Sequence, residues 1–196
     1  PTDVFFPRKE NPQVKDGDKV VFRVTEWREG LRSPRGVIID VLGQSGDNDA
    51  EMHAILAEYD LPYRFEQEIE DAAQAIESSI TEKDYAERRD FRDVVTFTID
   101  PADAKDFDDA LSIRKKGDGL WEVGVHIADV THYIRPDDVL DCEARDRGTS
   151  VYLVDRTVPM LPERLCNELC SLRPNEEKLC FSAVFTLNEN AEVLDE

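Results

Sequence analysis

The stretch TIDPADAKDFDDAL (98–111) carries aspartates at 100, 103, 106, 108 and 109, with Lys105 as the one base among them. Two carboxylates 4 Å apart repel by about 4 kcal/mol at an effective dielectric near 20. Crowding therefore raises their pKa values or drives them apart. A hard dication removes that cost, and Mg²⁺ characteristically takes carboxylates together with water and substrate phosphate. The spacing of Asp100, Asp106, Asp108 and Asp109 suits a strand end followed by a returning loop whose side chains converge. A pair of such ions about 3.5 to 4 Å apart would suit phosphoryl transfer, one generating hydroxide and the other stabilising the leaving oxygen. A solvated acidic loop is the plain alternative. Ala102, Ala104, Phe107, Ala110 and Leu111 weigh against it, because apolar residues between the acids should pin the loop to a core. A calcium EF-hand fits poorly: its third and fifth positions counted from Asp100 are Ala102 and Ala104, and its sixth counted from Asp106 is Leu111 instead of glycine.

Other residues with chemical potential read more plainly. His126, Asp129 and His132 form H-x-x-D-x-x-H, but that spacing on a strand running into a loop does not aim three ligands at one zinc ion, so core or supporting roles are expected. The four cysteines include no C-x-x-C pair, and Cys166 and Cys170 are spaced as on a helix; all four read as reduced and mostly buried. Phe5, Phe6, Phe22 and Trp27 could stack on bases if they line a barrel, with core packing as the alternative. Tyr152 on its own reads as a strand or core tyrosine.

The elements that must carry these residues follow from periodicity. KVVFRVTEW (19–27) and RGVIIDVLG (35–43) alternate as strands around REGLRSP. Met52, Ile55, Leu56 and Tyr59 make one helical stripe, and Phe65, Ile69, Ala72, Ala73, Ile76 and Ile80 a second. EKDYAERRDFRD (82–93) reads as a charged connector, and VVTFTID as the strand that delivers the aspartate loop. ALSIRKKGDGLWEVGVHIAD predicts a hairpin turning at 116–119, with Val123, Val125 and Ile127 on one face. Helices are expected over 137–147, stopped by Gly148, and over 162–172, with strands at 151–154 and 181–187. FSAVFTLNENAEVLDE looks like a hairpin whose second strand has just begun, and with Pro1 as first residue this suggests a piece of a longer protein.

The chain has 196 residues, 40% of them hydrophobic, enough for a genuine core, and a formal net charge of −20 that opposes nonspecific attraction to nucleic acid or an anionic membrane. With no apolar run of membrane-spanning length and no signal-like start, a cytoplasmic location and no membrane partner are expected.

Taken together, these residues resemble the ribonuclease II and ribonuclease R (RNB) family of exoribonucleases, whose catalytic domain opens T-I-D-x-x-D-A-x-D-F-D-D-A. The likeness continues in order through HIADVTHYI (126–134), EARDRGTSVYL (143–153) and PMLPERLCNELCSL (159–172). Upstream, GDKVVFRVTEW, PRGVIIDVLG and RRDFRD resemble the family's second cold-shock domain and its junction, and the ribonuclease R branch is the nearer. The resemblance implies an α+β chain with a partial cold-shock (OB-type) segment over 1–45, a helical connector over 46–93 and the N-terminal part of a catalytic domain over 94–196. It further implies 3′-to-5′ hydrolysis of single-stranded RNA to nucleoside 5′-monophosphates with Mg²⁺, by a monomeric parent. Asp100, Asp106, Asp108 and Asp109 match the family aspartates that bind Mg²⁺ and substrate phosphate, while Asp103 matches a more permissive position. Tyr152 matches an aromatic that packs on RNA near the cleaved 3′ end. The later part of the family's domain supplies an arginine, a glutamate and another aromatic to the site, so residues 1–196 alone are expected to be nearly inactive.

Overall fold

The computed structural model describes residues 3–28, 30 and 33–196. It forms two compact units, Pro1–Arg64 and Phe65–Glu196. In the first, the alternating segments pair as antiparallel strands β1 (Asp18–Glu26) and β2 (Arg35–Gln44), with Val21 opposite Asp40 and Val24 opposite Gly36. The REGLRSP connection includes Glu29, Leu31 and Arg32, which lie outside the described residues. Helix α1 (Asn48–Glu58) buries Ala50 and Leu56, whereas Ile55 and Tyr59 of the expected stripe stay exposed. The edge of the Phe6 ring meets Phe22 at 5.3 Å, while Phe5, Phe22 and Trp27 remain open to solvent.

The second unit is built on a five-stranded antiparallel sheet in the order β3-β4-β5-β8-β9: β3 (Thr96–Phe97), β4 (Asp109–Gly117), β5 (Leu120–Ala128), β8 (Cys180–Leu187) and β9 (Val193–Asp195). The tight β4–β5 turn uses positive φ at Gly117, Asp118 and Gly119. Helices α2 (Gln67–Gln74), α3 (Glu82–Glu87), α4 (Val130–Tyr133) and α5 (Val139–Arg147) and the short ribbon of β6 (Val151–Tyr152) and β7 (Thr157–Val158) surround it in sequence. Ile69, Ala73, Ala128, Leu140, Leu165 and Leu169 are members of one core cluster joining α2, α5 and the end of β5 to the segment before β8. Gly148, with φ 73°, closes α5 in the left-handed conformation that an L side chain rarely adopts. Among the described residues no helix is long and apolar enough to cross a membrane.

Three expectations change. The second helix stops at Gln74 because the Glu77 carboxylate accepts from the backbone N–H groups of Ser78 and Ser79, offering the chain a local alternative to further helical turns. The charged connector contains α3, whose start is a capping box: the Asp84 carboxylate accepts from both the N–H and the hydroxyl of Thr81. The helix expected over 162–172 is a π-helix, Arg164–Leu169, in which the N–H of Cys170 donates to the carbonyl of Leu165. In β5 the buried face is Glu122, Gly124, His126 and Ala128, and the Val123–Val125–Ile127 face is the more open one. That open face continues across the sheet through Phe97, Leu111 and Phe181, with Phe97, Ile127 and Phe181 all exposed.

Candidate active site

The aspartate loop leaves β3 and returns as β4. Asp100, Asp106 and Asp108 lie on the loop, and Asp109 is the first residue of β4, opposite Ile127. Its backbone is held by partners distant in sequence. Ser171, fully buried, accepts from the N–H of Phe107 at 3.2 Å and donates to the carbonyl of Lys105 at 2.6 Å. The N–H of Leu172 donates to the carbonyl of Phe107 and that of Ala128 to the carbonyl of Asp108, at 2.8 and 3.0 Å. The peptides on both sides of Asp106 and Asp108 are thereby fixed, so their carboxylates are presented by an anchored backbone. The anchors are thus the Ser171 hydroxyl and backbone groups where apolar residues were expected to pin the loop: Ala102 is exposed, Phe107 half-buried and Ala110 buried, while Asp100, Asp108 and Asp109 keep exposed side chains and Asp106 is half-buried.

The electrostatics mark Asp108 as the centre of the group. Its carboxyl is pushed above the usual range, first by partial desolvation and then by Asp106, Asp109 and Asp100. The Tyr152 hydroxyl donates to Asp106 Oδ2 at 2.8 Å, and that hydrogen bond, ahead of burial, pushes the phenol up to about 12. Beneath the loop, burial pushes the thiols of Cys166 and Cys170 up to about 11 and about 12, with Asp108 adding to both. They are protonated, unreactive neighbours of the acids.

The sequence thus named five residues that the fold brings into one electrostatic neighbourhood: Asp100, Asp106, Asp108, Asp109 and Tyr152. Among the described residues no group of three or more His, Cys, Asp or Glu side chains is placed so that it could hold a metal ion, so the side-chain convergence expected of Asp100, Asp106, Asp108 and Asp109 is not seen. The donor set nonetheless suits a hard dication. It consists of carboxylate oxygens only, on a clamped backbone, and carries a repulsion that added positive charge would relieve.

The H-x-x-D-x-x-H residues disperse to separate partners. His126, on the buried face, lies between Ser182 Oγ at 2.7 Å and Ser112 Oγ at 2.8 Å, with the edge of Phe91 against its ring. Burial holds its pKa below the ordinary value, so it is a neutral cross-brace over β4, β5 and β8. Asp129 pairs with Arg88 at 2.6 Å, and His132 lies 3.9 Å from Asp84. Glu122, buried on the same face, is bound by Arg89 and Arg114, which keep its carboxyl below the usual range. Sequence reasoning missed Glu122 and the Ser171 clamp; nothing in local spacing distinguishes that serine from a surface one.

Two family patterns match: Cold shock domain over residues 1–66 and RNB domain over residues 88–196. Ribonuclease R 1 of Lactococcus lactis is 40% identical over 190 residues, covering 95% of this chain and 23% of that protein. The structure of Mycoplasma genitalium RNase R in complex with double-stranded RNA superposes with a TM-score of 0.86 at 26% identity, covering 99% of this chain and 34% of that one. Yeast Ssd1, described as a pseudonuclease, superposes with a TM-score of 0.66 at 25% identity, covering 96% of this chain and 24% of that one. The chain spans less than a third of the length of the curated relatives it matches. An RNB domain pattern over more than half of the sequence, an anchored aspartate loop inside it and a cold-shock domain ahead of it place this chain in the RNB family, as a relative of ribonuclease R.

Proposed function

We propose that a full-length protein carrying these residues is a 3′-to-5′ exoribonuclease that hydrolyses single-stranded RNA to nucleoside 5′-monophosphates with Mg²⁺. The observation that carries this reading is the position of Asp108, among three further carboxylates on a loop clamped by Ser171 and edged by an aromatic hydroxyl. The relatives named above as ribonuclease R support the same reading. Asp100, Asp106, Asp108 and Asp109 would hold the cation. Magnesium supplies there the positive charge that activates water and stabilises the departing oxygen of a phosphodiester. The chain's own contribution is positional. Ser171 fixes the loop, Asp109 is registered by β4, and Tyr152, two-thirds exposed, offers a ring on which the terminal base can stack, worth about 1–3 kcal/mol per base. Three working segments accompany the proposal: a cold-shock part over 1–45, a connector over 46–93 and the opening of the catalytic domain over 94–196. The proposal also covers a monomeric, cytoplasmic parent, and near-inactivity of residues 1–196 alone, whose −20 charge opposes RNA.

The likeness to the pseudonuclease Ssd1 favours a second reading, a noncatalytic RNA-binding or scaffold protein of the same fold. One experiment separates the two. Full-length protein is given a 3′-overhang RNA with Mg²⁺, and the wild type is compared with Asp108→Asn. The exoribonuclease releases mononucleotides and the variant does not; equal degradation by both, or none by the wild type, overturns the assignment.

A further inference from the structure

Tyr152 and Asp106 are 46 residues apart in sequence, and their hydrogen bond joins two independently braced segments. On one side, the peptides flanking Asp106 are clamped: the Lys105 carbonyl and the Phe107 N–H both bond to the Ser171 hydroxyl. What remains free in Asp106 is rotation of its side chain. On the other side, Tyr152 pairs with Thr157 in the β6–β7 ribbon, which is closed at its tip by the Leu153 N–H donating to the Arg156 carbonyl at 2.8 Å. The base of the ribbon is tied by the Met160 N–H donating to Ser150 Oγ at 3.0 Å. The phenol is therefore delivered to Asp106 Oδ2 by a short, cross-linked ribbon. A tyrosine hydroxyl can donate one hydrogen bond, and a carboxylate offers two oxygens.

We propose that the Tyr152 hydroxyl is a positioning group for Asp106: it holds the Oδ2 side of that carboxylate and leaves the other oxygen as the one available to a cation. The inference rests on the reading of this loop as a magnesium site and adds a role for Tyr152 that its ring does not supply. Outer partners that orient a metal-binding carboxylate commonly change metal affinity by about 10- to 100-fold, and a single neutral donor belongs at the low end of that range. The rival account is a tether: the same bond could merely fasten the ribbon to the loop, and its loss would then lower stability and leave metal affinity alone.

Calorimetric titration of Mg²⁺ into full-length protein without RNA tests the inference directly. Tyr152→Phe keeps the ring and removes only the hydroxyl; it is expected to weaken Mg²⁺ binding about tenfold while the melting temperature without metal stays at the wild-type value. In an Asp106→Asn background the same substitution is expected to have no further effect, because the hydroxyl acts through that carboxylate. Unchanged or tighter binding in Tyr152→Phe overturns the proposal, as does a lowered melting temperature with affinity intact, or an equal loss in the Asp106→Asn background. Failure of the underlying reading looks different: the wild type itself then takes up no Mg²⁺, or Asp106→Asn and Asp108→Asn bind it as the wild type does.

Discussion

Asp108, one residue before β4, and Glu122, near the start of β5, lie toward opposite ends of the β4–β5 hairpin and are treated in opposite ways. Glu122 is buried, and the protein supplies its countercharge from Arg89 and Arg114, so its carboxyl stays ionised below the usual range. Asp108 meets solvent, and its carboxyl is raised by partial desolvation and by Asp106, Asp109 and Asp100. A charge that the chain neutralises internally serves the fold. A charge whose repulsion is left standing, on a backbone clamped so that it cannot relax away, is suited to receive positive charge from outside.

Breaking the loop side of this contrast should give the largest effect. In the full-length protein, Asp108→Asn is expected to lower RNA hydrolysis about 1,000-fold, equivalent to about 4 kcal/mol in the barrier, while the melting temperature without metal holds or rises because one of four repelling charges has gone. Steady-state release of mononucleotides alongside a thermal scan measures both. A fall in stability equal to the fall in rate would put Asp108 with Glu122. On the buried side, Glu122→Ala should invert the pattern. Removing the acceptor of two arginines costs about 2–3 kcal/mol, at or below the lower range for a broken buried pair because both arginines are half-exposed and can rehydrate. Denaturant midpoints test this, and rate per folded molecule should change far less than in Asp108→Asn.

The anchoring of the loop itself is tested by Ser171→Ala. It leaves the Phe107 N–H and Lys105 carbonyl without their partner, at a cost of about 1–2 kcal/mol, and it frees the loop, so Mg²⁺ affinity and stability should fall together. The smallest effect concerns His126. Its folded pKa lies below the ordinary 6.5, so between the two values the unfolded chain holds the extra proton. The stability due to neutral His126 is complete above pH 6.5 and drains as pH falls through the folded value, by at most about 1.4 kcal/mol per pH unit in that window. Urea melts from pH 7.5 to 5 should show this slope, and His126→Gln should flatten it.

Much of this arrangement was legible beforehand. Alternation located β1, β2 and the β4–β5 hairpin, because a two-residue period needs only local reading. The aspartates were visible through their mutual repulsion, and Tyr152 through its place in a motif. Which face of β5 is buried was not: alternation groups Val123, Val125 and Ile127 on one side, and the buried side is the other, with Glu122 and His126 satisfied by arginines and serines distant in sequence. Thr81 and Asp84 carried a capping signature that the density of charge around it masked. The π-helix was read as an α-helix, since both place Leu165 and Leu169 against a core and differ only by one residue in the closing hydrogen bond.

Gly124 sits between β4 and β8 where the His126 ring lies across it: a methyl group there would come within 2.5 Å of Ser112 Oγ and 2.6 Å of His126 Nε2. The imidazole and this notch work as key and keyhole. With the key turned, Ala110 is registered opposite His126, and its neighbour Asp109 takes its place opposite Ile127 at the strand's head. An alanine at 124 would therefore act as a jammed lock, felt by the acids although it touches none of them.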